Sequence, residues 1–432
     1  MARRNRITPE TFTLSFEDES TMNDAFGAYF SKRPSELSTI ARIIKPFGFF
    51  PFRFRSDTNN GNLHTEISTF WLLISIIILI GQLSNLSFTA GSYILYDSAK
   101  WSGLVPTVWL LTPSIIFIQS TFYQIIMLLR MKKLPAVYQN VATLLSILQI
   151  PSSRKIKSAI ILITCFALLL PFIAYISTCK TISKAAVLNK ALQSEHCTIW
   201  YSKMFSQFSH DRMWYIILGI QYIALFLSAI GPLLLELWIA VCTKYICDVF
   251  RYHLESLKNI IVDDKFVEPL KLSAWVRDFS WAYSLTDEFV RFISPMLLIT
   301  LVTNPIIFCL QAFWLAESHN YRMFNSLESA VFPVIILVSS FLRVTYLGLS
   351  GESFTENVNA LSKLVPQLPH NGFPTEIKYQ VDLIMYREVV SPLSLTACSF
   401  VSFSRMLITT VLGATVTYLI ILVQMSSEKP CS

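Results

Sequence analysis

Long apolar stretches alternate with polar segments along this chain. A helix needs roughly 20 consecutive apolar residues to cross a bilayer, and seven stretches reach that length. The predicted spans are 68–88, 104–128, 157–179, 213–243, 290–316, 327–349 and 400–425. Several contain prolines, which membrane helices tolerate better than soluble helices do. The pattern predicts an all-α, polytopic membrane protein with seven transmembrane helices.

The composition supports this fold class. Of the 432 residues, 53% are hydrophobic and 15% are charged, whereas an average soluble domain carries about 25% charged residues. The net charge of +7 comes from basic residues that are spread through the loops. Because nucleic-acid binding needs a collected basic patch, the sequence predicts the lipid bilayer, and no nucleic acid, as its partner.

The distribution of basic residues predicts the orientation of the chain. Of its 35 lysines and arginines, 24 lie in the N-terminal segment and the loops on the same side, and 8 lie on the opposite side. The positive-inside rule therefore places the N-terminus in the cytoplasm and the C-terminus outside. This topology is the inverse of that of a G-protein-coupled receptor.

The polar segments between the spans also carry structure. In the longest connection, 244–289, apolar residues recur at helical spacing, and in 350–399 a helix is predicted to start at Pro374-Thr375-Glu376. We expect spans four, five and six to continue as helical cytoplasmic extensions. The segment 42–52 has two prolines and four phenylalanines, and we expect it to form a turn at the cytoplasmic membrane surface.

These features divide the chain into five segments. They are a cytoplasmic N-terminal segment, spans one to six, a cytoplasmic loop with an anchor helix, the seventh span and an extracellular tail, over residues 1–66, 67–349, 350–399, 400–425 and 426–432.

The seventh span carries a narrow stripe of small and polar residues. At 100° per residue, its members fall within about 80° of one another; they are Ser402, Thr409, Gly413, Thr417 and Gln424. Small residues let neighbouring helices pack closely, so the stripe is consistent with contacts between helices. The wall of a water-filled pathway is the alternative, since lipid cannot satisfy the amide of a glutamine.

The same span resembles the terminal signature of insect-type gustatory receptors. That signature is a Thr-Tyr pair, five apolar residues and a glutamine, which stand here at Thr417, Tyr418 and Gln424. Met425 replaces the usual closing Phe, and Ser404 replaces an acid that often precedes the arginine. Upstream matches to the final block of that family are Ser391-Pro392-Leu393, Ala397-Cys398, Arg405-Met406-Leu407 and Gly413-Ala414.

The resemblance implies a tastant-gated, nonselective cation channel in the plasma membrane. It implies a homo- or heterotetramer with other gustatory receptors, in which cytoplasmic helices form an anchor and the seventh helices surround the pore. Gln424 would face permeant cations, and Ile420 and Ile421 would form a gate, because a ring of apolar side chains closes a pore by dewetting. Thr417 and Tyr418 would set the packing between the seventh helix and its neighbours.

The resemblance further implies that the tastant binds in the outer half of a subunit, among spans two to six. Ligand pockets are mostly apolar with a few placed polar groups. Aromatic and amide side chains at a suitable depth are Trp109, Tyr175, Trp214, Tyr215, Gln221, Gln311 and Trp314. Trp and Tyr near span ends also serve as interfacial anchors, so that role stays open for each aromatic.

Other chemistry is sparse in the sequence. The six histidines show no metal-ligand spacing, and no nucleotide-binding or protease motif is present, so we expect neither an enzyme nor a metal or other cofactor. Cys179 and Cys197 flank the largest outer loop and form a candidate disulfide. Glu236 and Arg343 lie near the inner ends of spans four and six, where they would either pair or reach the interface. Arg405 is expected to anchor the start of the seventh helix.

Three other classes of protein compete with the gustatory interpretation. An odorant receptor of the same superfamily has the same topology, but the Thr-Tyr to Gln ending favours the gustatory branch. A G-protein-coupled receptor conflicts with the predicted orientation. A transporter would be favoured by inverted repeats with broken helices, and none is evident in the sequence.

Overall fold

The computed structural model describes residues 35–56, 63–95, 104–147, 158, 211–263, 269–317, 327–367, 375–390 and 393–427. Within these ranges the chain is mainly helical. The α-helices are α1 Ser35–Ile44, α2 Thr69–Leu95, α3 Leu104–Leu129, α4 Leu134–Ile147, α5 Asp211–Asp263, α6 Pro269–Glu317, α7 Leu327–Leu364, α8 Thr375–Val390 and α9 Arg405–Ser427. Short 3-10 helices cover Lys45–Phe47 and Val365–Gln367.

Two small antiparallel hairpins complete the described fold. The first pairs β1 (Phe52–Ser56) with β2 (Leu63–Ile67). The second pairs β3 (Thr396–Ala397) with β4 (Val401–Ser402). The second hairpin immediately precedes α9 and fixes where that helix begins.

The predicted spans that fall on described residues lie on helices, and the predicted span 157–179 lies almost entirely outside those residues. Four of the described helices are long and apolar enough to cross a membrane, over Thr69–Ser87, Lys271–Ala316, Pro333–Gln367 and Arg405–Gln424. One boundary was wrong. The seventh span was predicted to begin at residue 400, but residues 401–402 belong to β4 and the helix starts at Arg405.

The expected helical extensions are present. Helix α5 has 53 residues and α6 has 49; at 1.5 Å per residue, α5 is about 80 Å long, far longer than the roughly 30 Å hydrocarbon core of a bilayer. Helix α7 continues to Leu364, and α8 begins at Thr375, where the sequence predicted a start.

The extensions pack around an aromatic core. Trp275 stacks on Phe279 at 5.1 Å, and Phe250 meets Phe279 and Phe354 edge-on at 5.9 and 5.4 Å. His253 is buried against Trp275 and Phe279, and its burial lowers its pKa to about 4. Residues from α5, α6 and α7 therefore share one hydrophobic core beyond the predicted spans.

The segment before the first span forms the predicted turn, and its aromatic side chains are buried in the helix bundle; its place at the membrane surface stays a prediction. Phe49 and Phe50 are fully buried, and Phe50 packs edge-on against Trp238 of α5 at 5.4 Å. The chain turns inward at Gly48, whose φ of +80° is costly for residues with a side chain. A Cβ there would also lie 2.6 Å from the amide nitrogen of Gln124.

Candidate pore helix and the polar cluster behind it

Helix α9 packs against the other described helices along one side. Thr415, 3% exposed, lies on the packed side. The predicted small and polar stripe lies at the centre of the opposite, exposed side, with Thr409, Gly413, Thr417 and Gln424. Ser402 is not part of it, because that residue belongs to β4. The stripe therefore does not pack against α6 or α7 of its own chain.

The other residues predicted to form the pore and gate share this exposed side. Ile420 and Ile421 are exposed and flank Gln424 on the helix surface, and Tyr418 is 63% exposed. The Thr417 hydroxyl donates to the carbonyl oxygen of Gly413 at 2.9 Å. Among the described helices, none buries Thr417 or Tyr418, and their role in packing stays a prediction.

The packed side of α9 lies on α6. The thiol of Cys309 donates to the Thr415 carbonyl oxygen at 3.3 Å. Trp314, which the sequence offered as a ligand-binding residue, is buried in a small apolar cluster formed by α3, α6 and α9; the other members are Leu310, Phe313, Ile115, Leu419, Leu422 and Val423. In this structure Trp314 is part of the support of α9.

The start of α9 is held closely against α7. A Cβ added to Gly351 would lie 2.4 Å from the carbonyl oxygen of Phe403, so α7 can approach only because this residue is glycine. The carboxylate of Glu352 accepts from the Arg405 amide at 3.2 Å, where a negative charge suits the helix dipole. The Arg405 guanidinium lies 3.8 Å from Glu356, with both side chains largely exposed.

The hairpin before α9 is clamped to α6 by one hydroxyl. Ser294 donates to the Thr396 carbonyl oxygen at 2.8 Å and accepts from the Cys398 amide at 2.6 Å. Cys398 and Ser399 have φ values of +51° and +62°, as the central residues of a tight hairpin turn do. Ser294 thus ties the segment that leads into α9 to the middle of α6.

The same turn of α6 also holds the end of α3. The Arg130 guanidinium donates to the carbonyl oxygens of Arg291 and Phe292, both at 2.7 Å. Pro295 has no amide hydrogen, so the Arg291 carbonyl lacks its helical partner, and Arg130 supplies one. The end of α3 and the hairpin before α9 therefore meet within one turn of α6.

A polar cluster centred on Glu236 lies between α3, α5 and α6, inside the predicted membrane region. One carboxylate oxygen accepts from Tyr123 at 2.7 Å, Thr300 at 3.2 Å and Gln119 at 3.3 Å. The hydroxyls of Tyr123 and Thr300 are also in close contact. These donors come from α3 and α6 and meet the carboxylate of α5.

Arg343 of α7 completes the cluster. Its Nε lies 3.2 Å from the second carboxylate oxygen of Glu236, without the alignment of a hydrogen bond. The two side chains are 17% and 8% exposed, so of the two predicted alternatives the residues pair. Arg343 also donates to the Oδ1 atom of Asn304 at 3.4 Å. The cluster joins α3, α5, α6 and α7 where unpaired charge is costly.

The residues predicted to bind ligand are only partly described. Gln311 is buried and donates to the Thr112 hydroxyl at 2.9 Å, which links α6 to α3. Trp109 is in α3, and three others are in the part of α5 described by its backbone alone, namely Trp214, Tyr215 and Gln221. Tyr175 and the candidate disulfide partners Cys179 and Cys197 lie outside the described residues. The ligand set and the disulfide stay predictions.

Sequence reasoning missed most of the polar cluster. Glu236 and Arg343 were singled out, but Gln119, Tyr123 and Thr300 were not. The available signal was the spacing of polar residues within the apolar stretches. Residues 119 and 123 are four apart, as are 300 and 304, and residues at this spacing share one helix face. In the described part of the chain, no group of His, Cys, Asp and Glu is arranged to hold a metal ion.

The apolar helices, their long extensions and the exposed last helix define a polytopic helical membrane protein. The model of the 7tm Chemosensory receptor family matches residues 37–429. The chain belongs to this family of chemosensory receptors. No curated protein sequence matches it.

Two solved structures have the same fold. The insect olfactory receptor OR5 from Machilis hrabei in complex with eugenol has a TM-score of 0.64 and 16% sequence identity, over 90% of this chain and 97% of that chain. A second structure of the same olfactory receptor, described without a ligand, has a TM-score of 0.61 and 17% sequence identity, again over 90% of this chain and 97% of that chain. These likenesses establish the helical polytopic fold.

Proposed function

We propose that this chemosensory receptor is a gustatory receptor, a tastant-gated, nonselective cation channel that assembles as a tetramer in the plasma membrane. The observation that carries the proposal is the exposed side of α9, whose centre is a stripe of small and polar residues. Apolar side chains are the ones favoured where a membrane helix faces lipid, so a row of small and polar side chains on this side supports water or a second subunit as its neighbour. Four copies of α9 around an axis would place the stripe against water.

The gate in this proposal lies near the outer end of α9. Ile420 and Ile421 are exposed on either side of Gln424, so a rotation of α9 exchanges apolar and polar side chains at the pore axis. An apolar ring closes the pore by dewetting, and its withdrawal opens a cation path. Tyr418, towards the edge of the exposed side, then lies where neighbouring α9 helices approach one another, and Thr417 lies on the stripe itself.

The tastant would bind in the outer half of the segment 67–349, and the loop and anchor helix of 350–399 would hold subunits together. Movement of α3 or α6 reaches α9 through the contacts of Arg130 and Ser294 within one turn of α6. The solved receptor bound to eugenol supports a small organic molecule as the ligand class. The ending of Thr417, Tyr418 and Gln424 favours taste over olfaction.

The test is whole-cell recording from cells that express this protein alone, with a panel of tastants and a G-protein blocker. We expect a rapid cation current that resists the blocker and whose permeability changes in Gln424→Ala. Leu342→Ala, at an exposed apolar position on α7, serves as the control and should behave as wild type. A response that the blocker abolishes would refute the channel proposal.

A further inference from the structure

Four basic residues lie together where α3 and α6 reach the predicted cytoplasmic side of the membrane. Arg130, Lys132 and Lys133 directly follow α3. The fourth residue, Arg291, is at the start of the predicted fifth span, and its carbonyl oxygen lies 2.7 Å from the Arg130 guanidinium. Both lysines belong to the tight turn in which the Lys133 amide donates to the Arg130 carbonyl oxygen at 2.9 Å. These four residues are called the basic cluster below.

Exposed apolar side chains next to the basic cluster indicate which side of each helix faces lipid. Leu129, immediately before Arg130, is 80% exposed, and Phe122, seven residues earlier on the same face of α3, is 51% exposed. On α6, Val302 is 53% exposed and lies within about 20° of Arg291 around the helix. Apolar side chains are the ones favoured where a membrane helix faces lipid. The basic cluster therefore lies at the cytoplasmic edge of a lipid-facing surface, at the depth of the lipid headgroups.

Most of the positive charge of the basic cluster is not neutralised by the described part of the chain. Lys132 and Lys133 are exposed, and neither forms an ion pair with a described carboxylate. The Arg130 guanidinium donates to two carbonyl oxygens, which carry no net charge. Arg291 pairs with Asp287 at 2.9 Å, but their side chains are 77% and 37% exposed, and exposed pairs are weak.

Two acidic residues of α6 lie beside the basic cluster, and they do not cancel its charge. Asp287 and Glu288 precede Arg291 by about one helical turn on the side away from the predicted membrane. Glu288 accepts a hydrogen bond from the Asn140 amide at 3.1 Å. Four positive and two negative charges leave this surface with a net positive charge.

The combination of unpaired cations and exposed apolar surface suits a phosphorylated lipid headgroup. Arginine and lysine both bind phosphate, arginine through paired donors and lysine as a point charge. The cytoplasmic leaflet contains anionic lipids, and basic residues close to that surface attract them. A soluble phosphate would meet the same cations but would gain nothing from exposed Leu129 and Phe122. The apolar surface therefore favours a lipid as the source of the phosphate.

We propose that the basic cluster binds the phosphorylated headgroup of an anionic phospholipid in the cytoplasmic leaflet, such as a phosphoinositide. The phosphates lie against Lys132, Lys133 and Arg291, and the acyl chains lie along Leu129. The headgroup then contacts the same turn of α6 that holds the hairpin before α9 through Ser294. Binding does not depend on whether the chain is a channel or on which molecule it senses.

Native mass spectrometry of the full-length protein in detergent micelles tests this proposal. The protein is titrated with dioctanoyl phosphatidylinositol bisphosphate, and bound lipid is counted at each concentration. Dioctanoyl phosphatidylcholine has the same tails and a zwitterionic headgroup, and inositol trisphosphate has phosphates but no tails; both should bind more weakly. The double variant Lys132→Gln with Lys133→Gln should weaken binding of the phosphoinositide about 25-fold, fivefold for each lysine. Because both lysines are exposed, we expect the variant to fold as wild type does.

Two lysines far from the predicted membrane boundary provide a matched control. Lys258 and Lys363 are exposed on the extensions of α5 and α7, so Lys258→Gln with Lys363→Gln removes the same charge and should leave lipid affinity as in wild type. An equal loss in the two double variants would indicate attraction to overall charge and would overturn the proposal. Equal binding of the phosphoinositide and phosphatidylcholine would overturn it as well. Inositol trisphosphate binding as tightly as the lipid would indicate a site for a soluble phosphate and would refute a lipid ligand.

Discussion

The ion pair of Glu236 and Arg343 offers a quantitative test of the polar cluster. Glu236→Gln retains the shape of the side chain and an acceptor for Tyr123, but it removes the charge that faces Arg343. Breaking a buried pair by changing one partner costs about 3–5 kcal/mol. We expect about 3 kcal/mol, the lower end, because Arg343 keeps 17% exposure and gains some hydration.

A double-mutant cycle separates the pair from its surroundings. Arg343→Met alone leaves the Glu236 carboxylate without a cation, so it should be similarly destabilising. The double variant replaces both charges with neutral groups and should recover much of the loss, since neutral replacements of a buried pair are often tolerated. The assay is the apparent melting temperature of the protein in detergent, followed by size-exclusion chromatography after heating.

The chain contains a matched control for this experiment. Arg277 and Asp278 also have a separation of 3.2 Å from Nε to a carboxylate oxygen, but their side chains are 60% and 41% exposed. Asp278→Asn should therefore change stability by less than about 1 kcal/mol. If Glu236→Gln is as mild as Asp278→Asn, or if the double variant is no more stable than the singles, the cluster does not depend on paired charge.

Three further changes test other parts of the structure. Gly351→Ala places a methyl group 2.4 Å from the Phe403 carbonyl oxygen, so it should lower the melting temperature and surface expression, and normal values for both would contradict the close contact. Ser399→Gly should stabilise the protein by about 1 kcal/mol, because a φ of +62° is unfavourable for serine; an unchanged or lower melting temperature would count against this. His253 is buried, and its pKa in the folded chain is lowered to about 4, whereas its pKa in the unfolded chain is about 6.5. As the pH drops from about 6.5 towards 4, the unfolded chain binds a proton that the folded chain does not, so the free energy of unfolding should fall. His253→Phe should flatten that dependence, which melting temperatures across this range would reveal.

The helices were the most predictable part of the fold, since apolar stretches longer than a bilayer have few alternatives. The extensions of α5 and α6 followed from apolar residues at helical spacing. The start of α9 was misplaced because Cys398 and Ser399 form a tight turn with positive φ, although neither residue is a glycine or asparagine. The burial of Phe49 depends on which helices surround it, and local sequence does not contain that information.

The candidate site also combines features that were predictable from local sequence with features that depend on how the helices pack. The exposed stripe of α9 was visible in the sequence as a periodic pattern, because all of its members lie on one helix. Glu236 and Arg343 stood out as charges in apolar stretches. Their partners Tyr123 and Thr300 come from two other helices, and only the packing of α3 and α6 around α5 brings these groups within hydrogen-bonding distance.

Cysteine accessibility tests whether the exposed side of α9 lines a water-filled pore. Thr417→Cys places a thiol on the exposed stripe, and Thr415→Cys places one two residues away on the packed side, where the residue is 3% exposed. A charged methanethiosulfonate reagent is applied from outside during activation, with the wild-type channel as the background control. We expect rapid loss of current in Thr417→Cys and none in Thr415→Cys. Modification of Thr415→Cys but not of Thr417→Cys, or of neither, would contradict this expectation.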